Sequence, residues 1–177
     1  MNGKLEIIIG NMFSGKTSEL LRRINREKSI HKKILIINYI SDNRYSEDSI
    51  VSHDHIGMKC LKIEKLSELV IDDYDSIFID EAQFFDDLYT QVVKLVDIYK
   101  KHVVICGLDG DFNRMPFGDI IKLIPISDSV LKLRAYCNKC NDGTYGPFTK
   151  KINDSKNVIE IGGSDMYIPV CRTHYLN

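Results

Sequence analysis

Gly10-Asn11-Met12-Phe13-Ser14-Gly15-Lys16-Thr17 follows directly on the apolar run Leu5-Glu6-Ile7-Ile8-Ile9. It opens a stretch, Lys16–Lys28, that carries Leu20, Leu21 and Ile24 at helical spacing. The octapeptide fits G-x-x-x-x-G-K-[ST], and strand–turn–helix is the context in which that pattern has physical meaning. Glycines let successive backbone N–H groups turn inward toward phosphate oxygens, and the helix N-terminus adds partial positive charge at the same spot. The loop Gly10, Asn11, Met12, Phe13, Ser14, Gly15, Lys16 and Thr17 is therefore expected to hold a nucleotide. Lys16 would reach the β- and γ-phosphates and the Thr17 hydroxyl would ligate Mg²⁺.

Working outward, Ile34-Leu35-Ile36-Ile37, Ser76–Asp80 and Val103-Val104-Ile105-Cys106 read as buried strands, and Val130–Tyr136 alternates as a fifth. Asp86–Lys100 repeats Leu88, Val92, Val93, Leu95, Val96 and Tyr99 at spacings of three and four, which predicts an amphipathic helix. Arg22, Arg23, Arg26 and Lys28 read as a solvated helix face. Strands alternating with helices imply an α/β fold, a mostly parallel sheet flanked by helices. From Cys137 onward Gly, Asn, Asp and Pro cluster and periodicity stops, so a boundary is expected near Tyr136. It divides a nucleotide-binding domain (1–136) from a small C-terminal module (137–177).

Composition narrows the function. The chain has 177 residues, 44% hydrophobic and 28% charged, with a net charge of -1. That is an ordinary globular composition with no basic field for a nucleic-acid backbone. No run is long and apolar enough to span a membrane, and the N-terminal residues lack a signal-peptide pattern, so a cytoplasmic protein is expected. Thiols then stay reduced.

Ser76-Ile77-Phe78-Ile79-Asp80-Glu81 is an apolar strand ending in two carboxylates. Ligands of such sheets sit at the carboxyl ends of the strands, which aims both acids at the phosphates. Asp80 suits Mg²⁺, and Glu81 is the candidate base for a hydroxyl acceptor that must lose its proton during attack. Paired acids at a helix start can also merely complement its dipole; the loop at 10–17 favours the catalytic reading.

Cys137-Asn138-Lys139-Cys140 and Cys171-Arg172-Thr173-His174 are two knuckles, each with its pair of soft ligands separated by two residues. Three thiolates and an imidazole fill a tetrahedral Zn²⁺ shell, leaving no open position, so the site reads as structural. Cys60 and Cys106 read as buried small hydrophobes. His31, His53, His55 and His102 read as surface or loop residues.

Taken together, Gly10–Glu19, Asp42–Tyr45 with His53-Asp54, Ile79–Phe85, Leu108–Gly118, the two knuckles and Ile161–Tyr167 resemble the small zinc-containing thymidine kinases of animals, bacteria and poxviruses. In length the chain is most similar to the poxvirus members. The resemblance covers nearly the whole chain. It implies a RecA-like P-loop fold with a zinc-ribbon-like lasso module, and transfer of the ATP γ-phosphoryl to the 5′-hydroxyl of thymidine, with Mg²⁺ as cofactor. Glu81 would be the proton acceptor and Arg44 would offset charge near the phosphates. Phe112 would contact the base, while Met12, Phe84, Leu108, Phe117 and Tyr167 would wall it. Thr149 would approach the base's polar edge, and Val158, Ile159, Glu160, Ile161 and Gly162 would meet it through backbone groups. A homotetramer is also implied.

The chain departs from that pattern at three points. Asn11 stands where the family usually has proline, Ala82 where glycine is common, and His174 where animal and many poxvirus members have cysteine. The spacing from Cys140 to Phe148-Thr149-Lys150-Lys151 is also longer. The competing reading is a zinc-containing P-loop ATPase acting on nucleic acid, with Lys139, Lys150, Lys151, Lys156 and Arg172 as its scattered cations.

Overall fold

Parallel pairing runs through the central sheet of the computed structural model, which describes residues 2–40, 49–51, 57–152 and 163–177. In chain order the strands are β1 (Lys4–Gly10), β2 (Ile34–Tyr39), β3 (Ser49–Val51), β4 (Gly57–Lys59), β5 (Leu61–Ile63) and β6 (Ser76–Ile79). They continue with β7 (His102–Gly107), β8 (Ser129–Leu133), β9 (Ala135–Tyr136), β10 (Tyr145–Gly146), β11 (Phe148–Lys151) and β12 (Tyr167–Val170). The α-helices are α1 (Lys16–Lys28), α2 (Leu88–Val93) and α3 (Arg172–Leu176). The sheet runs β5-β2-β6-β7-β1-β8, with each neighbouring pair parallel. The carboxyl ends of β1, β6 and β7 therefore lie along one edge, and the loops leaving them meet there.

The continuous apolar runs follow from burial on both faces. In β1, Leu5, Ile7 and Ile9 join Leu88, Val92 and Leu95 on one face, while Ile8 joins Leu20, Leu21, Ile24, Phe78 and Val104 on the other. Alternate side chains of one strand thus bind α2 and α1 to opposite sides of the sheet.

Several local expectations are revised. The helix expected over 86–100 is α-helical only through Leu88–Val93 and widens into a π turn at Lys94–Ile98. The Tyr99 amide accordingly donates to the Lys94 carbonyl five residues back, at 2.9 Å. Leu95 and Val96 are buried there and Tyr99 is exposed. The strand expected over 130–136 is two. β8 stays with β1, and after Arg134 the chain leaves the sheet so that β9 pairs antiparallel with β10. Edge strand β5 escaped the reading because three residues with one buried side chain, Ile63, show no period.

Arg23 and His102 also depart from expectation. Rather than lying on the solvated face, Arg23 is partly buried and pairs with Glu6 and Glu19. His102 begins β7, with Nδ1 2.6 Å from Glu27 Oε1. Cys106 is buried, as expected, whereas Cys60 is only partly so.

Candidate functional site

The loop between β1 and α1 turns through left-handed conformations at Phe13 (φ 63°) and Gly15 (φ 81°). No heavy atom lies within 4 Å of where a Gly15 Cβ would sit, so its backbone angle and not crowding is what requires glycine there. Lys16 Nζ and Ser14 Oγ both donate to the Asn11 carbonyl, each at 2.8 Å. Asn11 itself is buried. Its side-chain amide donates to the carbonyls of Met12 (3.0 Å) and Gly146 (2.9 Å) and accepts from the Ala135 amide at 3.3 Å. The Met12 amide donates to Thr149 Oγ1 at 3.1 Å. The loop is thereby fastened to β9, β10 and β11.

At the end of β6, Asp80 is buried and accepts from the Thr17 hydroxyl at 3.1 Å. The Glu81 amide donates to the other Asp80 carboxylate oxygen at 3.0 Å. The structure thus brings together Thr17 and Asp80, the two residues the sequence nominates for Mg²⁺. Burial, reinforced by the adjacent Asp80 carboxylate, pushes the Cys106 thiol well up, so it stays uncharged beside the site.

Glu81 sits at φ 51° and ψ 38°, a left-handed conformation that for a non-glycine residue stores roughly 1–3 kcal/mol. Its carboxylate accepts from Gln83 Nε2 at 2.6 Å, and Gln83 Oε1 accepts from the Leu108 amide at 2.9 Å. Gln83 is buried, and the sequence reading passed over it. The available signal was a polar residue two positions after Glu81, inside an otherwise apolar Ala82–Phe85.

The candidate wall residues fall into small contacting groups. Phe84 stacks on Tyr39 with centroids 5.4 Å apart and meets Phe117 edge to face, also at 5.4 Å. Lys151 Nζ lies 5.0 Å from the centroid of Phe112 and 5.8 Å from that of Tyr167, joining two candidate base contacts through one cation. The Tyr175 hydroxyl fixes the Phe112 carbonyl at 2.8 Å. Lys151 and Tyr175 were not foreseen as site residues. Arg44, Val158, Ile159, Glu160, Ile161 and Gly162 lie outside the described residues, as do His53, Asp54 and His55.

Cys137, Cys140, Cys171 and His174 converge, with ligand atoms all within 4.8 Å of one another, in a cluster able to hold a metal ion. Cys137, Cys140 and Cys171 Sγ lie 3.5, 3.4 and 3.3 Å from His174 Nδ1, and the Cys140 and Cys171 sulfurs are 3.8 Å apart. The Cys171 amide donates to Cys137 Sγ at 3.2 Å. Although desolvation raises the Cys137 thiol, amides of Cys171, Cys140 and Lys139 and the His174 ring bring it down to about 6. Desolvation and the neighbouring Cys137 and Cys171 push Cys140 up to about 11. Cys137 is therefore the readier thiolate, and a cation among the ligands would favour ionisation of Cys140.

Comparison with known proteins agrees with this architecture. The thymidine kinase family pattern matches residues 3–175. Thymidine kinase a of Arabidopsis thaliana is 43% identical, over 99% of this chain and 76% of that protein. The thymidine kinase of Choristoneura fumiferana entomopoxvirus is 46% identical, over 97% of this chain and 95% of its own length. That of Vaccinia virus (strain Western Reserve) is 39% identical, over 99% and 98% respectively.

Proposed function

The chain belongs to the thymidine kinase family and is a nucleoside kinase, and from that premise we propose how its residues transfer the ATP γ-phosphoryl group to the 5′-hydroxyl of thymidine. The observation that carries the reading is the hydrogen bond of Thr17 to Asp80, which ties the phosphate-binding loop to the acidic end of β6 at 3.1 Å. Inward-facing loop amides and Lys16 hold the triphosphate. Lys16 exchanges the Asn11 carbonyl for phosphate oxygens at little net loss, since one charge-assisted bond replaces another. Thr17 and Asp80 would hold Mg²⁺, which when bound neutralises phosphate charge. Glu81 accepts the 5′-hydroxyl proton as the oxygen attacks phosphorus, and Arg44 offsets charge nearby.

Phe112 stacks on the base and Met12, Phe84, Leu108, Phe117 and Tyr167 enclose it. Thr149 and the backbone of Val158–Gly162 read its polar edge. The spacing among Phe84, Phe117 and Tyr39 and the Lys151 bridge between Phe112 and Tyr167 support this grouping.

The Cys137, Cys140, Cys171 and His174 cluster is proposed as a structural Zn²⁺ site. Tetrahedral geometry with Zn–S near 2.3 Å and Zn–N near 2.0 Å requires S···S of about 3.8 Å and S···N of about 3.5 Å. The Cys140 and Cys171 sulfurs are 3.8 Å apart, the three S···N distances are 3.3–3.5 Å, and all four ligand atoms lie within 4.8 Å of one another. Residues 137–177 are assigned as the zinc module and 1–136 as the nucleotide-binding domain. Assembly into a tetramer, implied by the family resemblance, is checked by light scattering.

Purified protein given ATP, Mg²⁺ and each nucleoside in turn tests the reading. Thymidine should become its 5′-monophosphate, and Glu81→Gln should keep ATP binding while lowering turnover roughly 10²–10⁴-fold. ATP hydrolysis stimulated by DNA, with no nucleoside phosphorylated, would refute it.

A further inference from the structure

Gln83 has hydrogen-bond chemistry that fixes its orientation. The Leu108 amide is a donor, so it must meet the Gln83 oxygen, and the NH₂ group is thereby left for the Glu81 carboxylate. The side chain is buried, so neither bond is exchanged readily for water. Its seat is also tight. A Cβ on Gly107 would sit 2.4 Å from Gln83 Oε1, so the end of β7 must lack a side chain for the amide to lie there. Glu81 meanwhile holds a left-handed backbone conformation disfavoured for a residue with a Cβ. A strained backbone at one end and a clamped amide at the other leave its carboxylate little freedom.

We infer that Gln83 is a positioning residue: its amide bridges the Glu81 carboxylate to the carboxyl end of β7 and holds the base in the orientation that proton acceptance needs. This rests on Glu81 being the base. Leu108, fixed by the other end of the same amide, is a candidate wall residue. The bridge therefore sets the register between the proton acceptor and the pocket that presents the hydroxyl. Displacement of a reacting group by about 1 Å can cost on the order of 10²-fold in rate, so the bridge acts on turnover more than on nucleotide affinity.

Two substitutions separate the two bonds. Gln83→Met is close in volume and removes both. Gln83→Glu keeps an acceptor for the Leu108 amide and sets a second carboxyl group against Glu81, so that the two share a proton and Glu81 becomes a poorer base. Both should lower kcat for thymidine phosphorylation by about 10- to 100-fold, leaving KM for ATP within about twofold of wild type. Near-normal kcat in Gln83→Met, with the fold intact by circular dichroism, would overturn the inference.

The double variant Glu81→Gln/Gln83→Met provides the second arm. A residue that works through Glu81 should add no more than about twofold to the loss already caused by Glu81→Gln. A multiplicative loss would point to a separate role and also overturn the inference. Failure of the underlying reading looks different, because Glu81→Gln alone would then turn over normally whatever Gln83 does.

Discussion

Asn11→Ala offers the sharpest test of how the phosphate-binding loop is held. The side chain is buried at 3% exposure and satisfies three backbone groups on three parts of the chain, the Met12 and Gly146 carbonyls and the Ala135 amide. Alanine leaves all three in place and removes their partner. The Asn11 contacts to Gly146 and Ala135 are buried, and each orphaned group costs about 1–3 kcal/mol. The Ala135 contact is long, so the lower half of that range suits it, and a total near 3 kcal/mol results. For a domain of this size that corresponds to a drop in Tm of roughly 6–12 °C.

The assay is thermal unfolding at fixed protein and zinc concentration, followed by circular dichroism. Asn11→Asp sharpens it, because a carboxylate keeps the acceptor for Ala135 but turns a buried charge toward two carbonyl oxygens. It should therefore be less stable than Asn11→Ala despite being closer in shape. A shift below about 2 °C for alanine, or an aspartate variant as stable as wild type, would refute the argument that this amide binds the loop to β9 and β10.

Removal of the metal by a chelator should lower Tm and raise KM for ATP, with recovery on Zn²⁺ and none on Mg²⁺; elemental analysis of the untreated protein should give about one zinc per chain. Gly107→Ala should mimic Gln83→Met, lowering kcat while circular dichroism stays native, because the methyl group's closest contacts are side-chain ends, Gln83 Oε1 at 2.4 Å and Ile120 Cδ1 at 3.0 Å, with the Ala82 backbone nitrogen farther off at 3.3 Å. Hydrogen bonding by Arg22, then Arg23, against the opposing desolvation, holds the Glu19 carboxyl at about 2 instead of an ordinary 4.5. A depressed carboxyl stabilises the fold above its unfolded value and loses that contribution as pH falls through the folded one. The stability difference between wild type and Glu19→Gln should therefore shrink as pH is lowered from 4.5 to about 2, measured by urea titration. A difference that does not change with pH would refute it.

What the sequence made legible were features whose chemistry is written in consecutive residues. Leu5–Ile9 before a glycine loop, and Ile77–Ile79 before two acids, each carry strand and site in one window. The cysteine knuckles carry their spacing openly, and their ligands do converge. Opaque to that reading was whatever depends on two distant segments. The π turn at Lys94–Ile98 has no mark in the sequence, because Leu88, Val92, Leu95 and Val96 keep the spacing of an ordinary amphipathic helix. The split between β8 and β9 has no mark in Val130–Tyr136, because its cause is the β10 strand at Tyr145–Gly146. Gln83 was invisible as a bridge because Leu108, its other partner, lies on a different strand end. His102 likewise took its place from Glu27, at the far end of α1.

The same distinction bears on how the Cys137, Cys140, Cys171 and His174 cluster connects to the loop after β1. Cys137 follows β9 immediately, and β9 pairs with β10, whose Gly146 carbonyl receives the Asn11 amide. Thr149, on β11, receives the Met12 amide and lies opposite Pro169 of β12, which runs into Cys171. Two covalently short paths thus connect the ligands to consecutive loop residues, and neither passes through the central sheet. In the proposed zinc site, gathering the four ligands would hold β9 against β10 and β11 against β12, and with them the acceptors that Asn11 and Met12 need. Loosening them should release the loop even with β1 and α1 intact, which the chelator experiment checks. The loop's rigidity is in this sense a property of the C-terminal module, and the family's nucleotide-binding motif functions here as half of a structure completed by residues 135–174.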